Sequence, residues 1–171
     1  HQFDVITLIG VLEYANLFMS GDDPALEMLQ RVRAMLKPNG KLIVAIENQL
    51  GLKYFTGAPE DHLGQAMYGL EGRYRKDQPH TYGRKVLTEM LRQAGFLNSE
   101  FMAPFPDYKL PASIVTERGF VYEGFDASAL AWQSVKRDPQ LPPLLAISPE
   151  LVWPVLVQNG VAVSAPVVVA R

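Results

Sequence analysis

No cysteine occurs among the 171 residues, which excludes a disulfide framework, a zinc–thiolate site and a cysteine nucleophile. Histidine is scarce as well. His1, His62 and His80 are too scattered for a histidine-rich metal site. Charge of one sign is missing, since 16 basic residues meet 18 acidic ones for a net charge of −2. No basic block breaks this mixture, so nucleic-acid binding by a charged face has no support. No two glycines are separated by a single residue, which removes Gly-x-Gly-x-x-Gly, and no phosphate-cradling P-loop is present. No serine sits in Gly-x-Ser-x-Gly, so the hydrolase elbow is absent too. What remains is 48% apolar and 20% charged, the profile of an ordinary folded domain. That length buries a core without covalent staples. The sequence opens His1-Gln2-Phe3, with no methionine or signal segment before its first apolar run, and reads as starting partway through a larger fold.

Phe3 to Ile9 is a short, nearly continuous apolar run, suited to a buried strand of a parallel sheet. Asp22 or Asp23 and Pro24 provide a helix start, and Ala25, Leu29, Val32 and Leu36 follow at helical spacing. Lys37-Pro38-Asn39-Gly40 is expected to stop that helix in a turn, and Lys41 to Glu47 reads as a second buried strand. The unit is βαβ, with a right-handed crossover. Residues 48–80 lack a clear period and suit short helices or a lid. A second helix is expected over Gly83 to Ala94, started by Thr81 and stopped by Gly95. Phe96 to Phe105 supplies a third strand.

The last third differs in composition. Nine of the thirteen prolines lie between Pro104 and Pro166, and Glu150 carries the one charge of residues 141–170. The prolines argue against a membrane span despite the hydrophobicity. A final strand is expected near Val161 to Ala170. Ser148-Pro149-Glu150 suits a helix start that Pro154 would interrupt, which leaves Leu151 to Gln158 open.

Three segments then combine. Phe3-Asp4-Val5-Ile6, Val11-Leu12-Glu13-Tyr14 and Leu36-Lys37-Pro38-Asn39-Gly40-Lys41-Leu42-Ile43-Val44 resemble, in order and spacing, the second half of a class I S-adenosylmethionine-dependent methyltransferase. Tyr14 stands where that family usually has histidine, and Asn39 where it has the first glycine of its turn. A narrower resemblance runs through Glu47-Asn48, Gly51 to Phe55, Glu60-Asp61-His62, Gly69 to Gly72 and Pro106 to Pro111. It is to a group of bacterial methyltransferases associated with glycosyltransferases of surface-polysaccharide assembly. The family's sheet order is 3-2-1-4-5-7-6, and the resemblance implies that this chain supplies strands four to seven. The glycine loop and ribose-binding acid would lie upstream. The expected architecture is a three-layer α/β, mostly parallel, partial Rossmann-like sheet. Residues 1–105 would form the C-terminal half of the core, and residues 106–171 a proline-rich extension with the closing strand.

The resemblance places Ile9, Gly10, Val11 and Tyr14 on the methionine side of S-adenosylmethionine, where ligands bind at the carboxyl ends of strands. Alternatively, Ile9 and Val11 are core and Gly10 permits a bend. Glu47 is a candidate general base or an ion-pair partner, and Asn48 either orients substrate or forms a turn. His62 suits a base whose tautomer a carboxylate fixes, with Glu60 and Asp61 as substrate-binding neighbours or a solvated loop. A metal at His62 would need ligands from elsewhere, so none is expected. Tyr54, Asp107 and Tyr108 complete the candidate substrate-binding set.

The acceptor would be a small molecule or glycan precursor and the compartment the cytoplasm. Absence of the family's first strand leaves the Phe3–Ile9 edge uncovered, which invites a homodimer. The rival reading is a non-catalytic docking or accessory module of a polysaccharide-assembly glycosyltransferase.

Overall fold

A computed structural model describes residues 2–161 and 167–170. Five strands form one sheet: β1 (Phe3–Ile9), β2 (Leu36–Ala45), β3 (Ser99–Phe105), β4 (Ser113–Thr116) and β5 (Val167–Ala170). Among the described residues seven α-helices accompany them: α1 (Ala15–Phe18), α2 (Pro24–Met35), α3 (Leu52–Phe55), α4 (Arg84–Gln93), α5 (Glu117–Val121), α6 (Ala127–Ser134) and α7 (Pro149–Gln158).

The helix expected after Asp23 forms as read. Asp23 accepts the Leu26 N–H at 3.1 Å, and Pro24 occupies the first turn. It buries Ala25, Leu29 and Val32. The turn expected at Lys37 to Gly40 is corrected, because β2 starts directly at Leu36 with extended backbone (φ −81°, ψ 145°). Proline at 38 holds its predecessor extended. The register steps from Phe3↔Leu36 to Val5↔Lys41, so the surplus residues sit as an irregularity inside the ladder.

Strand order is β1-β2-β5-β3-β4. The expectation of a mostly parallel sheet does not hold among the described residues. Only β1 and β2 pair in parallel, whereas β2–β5, β5–β3 and β3–β4 are antiparallel. The closing strand inserts between β2 and β3, opposed to both. Sequence periodicity carries no information on such a distant pairing. Part of the region expected to hold that strand, 162–166, lies outside the described residues.

Alternation assigns the faces of the sheet. Leu8, Leu42, Val44, Phe101 and Ala103 fall on one face by register and are buried in one core with α2 and α4 residues Leu29, Leu87 and Leu91. Val115, Ala127, Ala131 and Ala170 from beyond residue 105 join the same core. On the other face, Val5, Thr7 and Ile9 of β1 are exposed.

Two further boundaries differ from expectation. Gly83, not Thr81, caps α4; Thr81 is buried, with its hydroxyl 2.6 Å from the Tyr74 hydroxyl. Phe96 precedes β3 and returns to the core after Gly95 (φ +92°), with the Phe96 N–H bonded to the Leu91 carbonyl at 2.9 Å. Pro154 stays inside α7. Residues 48–80 hold α3 and a series of turns, fastened by an Asn48↔Tyr82 bridge.

Candidate functional site

The site is built where the parallel strands β1 and β2 end. Gly10 follows β1 at φ +62°, a conformation glycine adopts without steric cost, and its N–H bonds the Ala45 carbonyl at 2.9 Å. A Cβ on Gly10 would lie 3.5 Å from both Glu13 Oε1 and the Tyr108 hydroxyl. The chain then winds through a short 3-10 turn, Leu12–Tyr14, which buries Glu13. Beyond β2, Glu47 and Asn48 are buried as well. Adjacent strand ends thus bring Glu13 and Glu47 to one edge, the position where open α/β sheets bind ligands.

The loop after α3 supplies the third part. Glu60 Oε2 accepts the backbone N–H groups of His62 and Leu63 at 2.8 and 2.7 Å, and Glu60 Oε1 lies 3.0 Å from His62 Nδ1. On the other side of the ring, His62 Nε2 is 3.8 Å from Glu13 Oε1. Tyr14 packs edge-on to the imidazole. The carboxylate expected to orient His62 is therefore Glu60, and a second one, Glu13, stands at the opposite nitrogen. Burial alone would lower the His62 pKa, but the Glu13 carboxylate, the hydrogen bond to Glu60 and the nearby negative charge of Glu47 outweigh it and push it up to about 10.

A second cluster is centred on Asp61, whose side chain is 3% exposed. Lys53 Nζ reaches Asp61 Oδ2 at 3.0 Å, Asp107 at 3.5 Å and Gln140 at 2.6 Å. Gln140 donates to Asp61 at 2.6 Å, and the Tyr54 hydroxyl donates to it too. Burial opposes ionisation of Asp61, yet Lys53 and these hydrogen bonds hold its carboxyl below the usual range. Lys109 bridges the clusters, 2.7 Å from Glu47 Oε1 and 3.4 Å from Asp61 Oδ1. Tyr108 donates to Glu47 Oε2 at 3.2 Å. Its phenol is pushed up, first by burial and then by the Glu47 and Glu13 charges.

Beside these groups lies a cavity of about 100 Å³, lined in part by Glu47, Asn48, Lys53, Asp107, Tyr108, Pro104 and Trp153. Its lining combines charged and amide groups with apolar rings, as the linings of small-molecule sites do. Asn48 also forms a turn, accepting the Leu50 N–H at 3.0 Å. Of the sequence candidates, Gly10, Tyr14, Glu47, Asn48, Tyr54, Glu60, Asp61, His62, Asp107 and Tyr108 come together. Ile9 and Val11 do not enter the polar cluster and are substantially exposed. Sequence reasoning missed Glu13, Lys53, Lys109 and Gln140. The first three lie inside segments that carried the resemblance, which was the available signal. Gln140 had none.

No protein-family model matches the chain, and no curated protein matches it in sequence. Among solved structures, it is similar to a SAM-dependent methyltransferase from Thermotoga maritima described as a possible histamine N-methyltransferase. Identity is 13% and the TM-score 0.40, over 99% of this chain and 55% of that one. The chain therefore spans about half the length of that protein.

Proposed function

We propose that this chain is the acceptor side of a class I S-adenosylmethionine-dependent methyltransferase acting on a small molecule or glycan precursor, with a sugar hydroxyl as the first acceptor to test. One observation carries the reading. The resemblance assigns strands four, five, seven and six to this chain, and β1, β2, β5 and β3 lie side by side in that order. The glycine loop for the cofactor is left to residues that these 171 do not include. The reading also places the protein in the cytoplasm; among the described residues, no helix is long and apolar enough to cross a membrane. In the isolated chain the open edge of β1 pairs with a second copy.

S-adenosylmethionine, when bound, supplies a methyl group on a positively charged sulfur for in-line transfer to the acceptor oxygen. Gly10 gives it close access to the strand end, with Tyr14 alongside. Glu47, buried next to the cavity and oriented by Tyr108 and Lys109, receives the proton that the acceptor hydroxyl releases. His62, held as imidazolium between Glu13 and Glu60, steadies those carboxylates rather than taking the proton. Lys53, Asp107 and Asn48 line the acceptor's place. Such alignment accounts for about 7–11 kcal/mol of barrier in favourable cases, and residues 48–80 exclude water from it.

The test is transfer of a labelled methyl group to nucleotide sugars by the polypeptide that contains these residues. Glu47→Gln is expected to lower transfer by about 10²–10⁴-fold with cofactor binding retained, and Gly10→Val to abolish cofactor binding. No transfer to any acceptor, or full activity in Glu47→Gln, overturns the assignment. Micromolar cofactor binding by these 171 residues alone overturns the division of labour.

A further inference from the structure

Glu13, Glu47 and His62 come from three separate segments, the turns after β1 and β2 and the loop after α3. One donor atom from each lies within 4.8 Å of the other two. All three are nearly withdrawn from water, with side-chain exposures of 1%, 1% and 7%. Glu13 Oε2 has no hydrogen-bond partner among the described residues. A buried carboxylate oxygen in that condition is costly. The surrounding charge does not balance either. Glu13, Glu47, Glu60, Asp61 and Asp107 face Lys53, Lys109 and His62, which leaves a shortfall of two positive charges even with the imidazole protonated.

We propose that Glu13, Glu47 and His62 form a binding site for a first-row divalent cation such as Mn²⁺ or Zn²⁺. A set of two carboxylates and one imidazole suits such ions, and three protein ligands leave further positions for water or an oxygen of a bound small molecule. The supporting groups are already in place. His62 presents Nε2 to the cluster and gives up the proton on it to solvent as the ion binds, while Nδ1–H stays with Glu60, the carboxylate–histidine arrangement that orients metal-binding imidazoles. Glu60 is itself fixed by two backbone N–H groups and by the Tyr74 hydroxyl at 3.2 Å. Tyr108 fixes Glu47 in the same way. Metal–ligand bonds of about 2.0–2.2 Å require the donors to draw in by on the order of 1 Å. Lys109, whose side chain is 47% exposed, swings out to solvent as the ion takes its place at Glu47 Oε1, so its contact with Glu47 belongs to the ion-free chain while Tyr108 keeps Oε2 in both. These are the ligands that a metal at His62 lacks in its own stretch of sequence.

The experiment titrates Mn²⁺ into the chelator-treated chain and follows free Mn²⁺ by electron paramagnetic resonance. One bound ion per chain is expected. Glu13→Gln and His62→Gln should each weaken binding by at least about tenfold, with unchanged far-ultraviolet circular dichroism. Electron spin echo of the bound ion should show modulation from a directly coordinated histidine nitrogen, lost in His62→Gln. No stoichiometric binding, no nitrogen coupling, or undiminished affinity in both variants overturns the proposal. Should a variant fail to fold, nitrogen coupling in the unmodified chain decides the matter alone. Because the readout is ion binding, it fails or stands separately from methyl transfer.

Discussion

Asp61 is the residue around which the second cluster of buried charge gathers. Its carboxylate is almost fully enclosed and relies on Lys53, Gln140, Tyr54 and Lys109. Removing one partner of a buried ion pair leaves the other uncompensated, at about 3–5 kcal/mol. Lys53→Met should fall near the lower end of that range, because Gln140 and Lys109 remain, and denaturant unfolding measures it. His62 makes a pH prediction for the metal-free chain. Its folded pKa, about 10, lies above its unfolded value of 6.5. The stability it contributes is therefore complete below about pH 6.5 and disappears as pH rises toward 10. Glu60 and Asp61 act oppositely, since their lowered pKa values add stability that is lost as pH falls through the carboxylate range. Unfolding midpoints from pH 6 to 10 should decline in the unmodified chain, and His62→Gln should flatten that limb; an unchanged slope removes His62 as its source. This network was only half legible in the sequence. His62 and its neighbours stand out by residue type, but Glu13 becomes a partner only because a 3-10 turn buries it. The Lys53–Gln140 contact joins residues 87 positions apart, beyond the reach of local pattern.

At the scale of elements, the parallel pair β1–β2 carries both strand ends of the site, so its register matters more than its length. Gly40 sits where that register is irregular. A Cβ there would meet the Phe3 carbonyl oxygen and Leu36 Cδ2, each at 2.9 Å. The carbonyl belongs to the backbone and cannot rotate away as a side chain would. Gly40→Ala is thus expected to cost about 1–3 kcal/mol, the usual penalty for overpacking, and to loosen the start of β1. Hydrogen exchange should show faster amides near Phe3 and Val5, with α4 unaffected. Pro38-Asn39-Gly40 marks an interruption, as its composition implies, but the interruption lies within the strand ladder instead of ahead of it. Helix α2 was readable because its cap and apolar stripe are local signals. Helix α7 was not, because Pro154 argues against a helix whose packing against α6 outweighs the lost hydrogen bond.

For the whole molecule, the decisive feature is that β1 is an edge strand with one bare face. β2 occupies one side of it, and among the described residues no strand occupies the other. Phe3, Val5 and Ile9 are each about half exposed. An Asp4–Lys37 ion pair, 2.7 Å, ties the start of β1 to β2. It is solvent-exposed, where such pairs contribute little, and it does not block approach along the strand. Unpaired N–H and C=O groups beside apolar side chains are a template for another strand. Sedimentation of the isolated chain at rising concentration should therefore show a monomer–dimer equilibrium. Val5→Lys, which places a charge on the bare face while leaving Leu8 and the core untouched, should shift it to monomer without altering the circular dichroism spectrum. A single monomeric species at high concentration rules out edge pairing. The same surface separates two accounts of the molecule. In the proposed enzyme this edge receives the remaining strands of the sheet, so a polypeptide that supplies them should abolish the dimer and protect the β1 amides from exchange. If the dimer persists in that longer polypeptide, the strands are joined elsewhere and the methyltransferase sheet order no longer explains the fold.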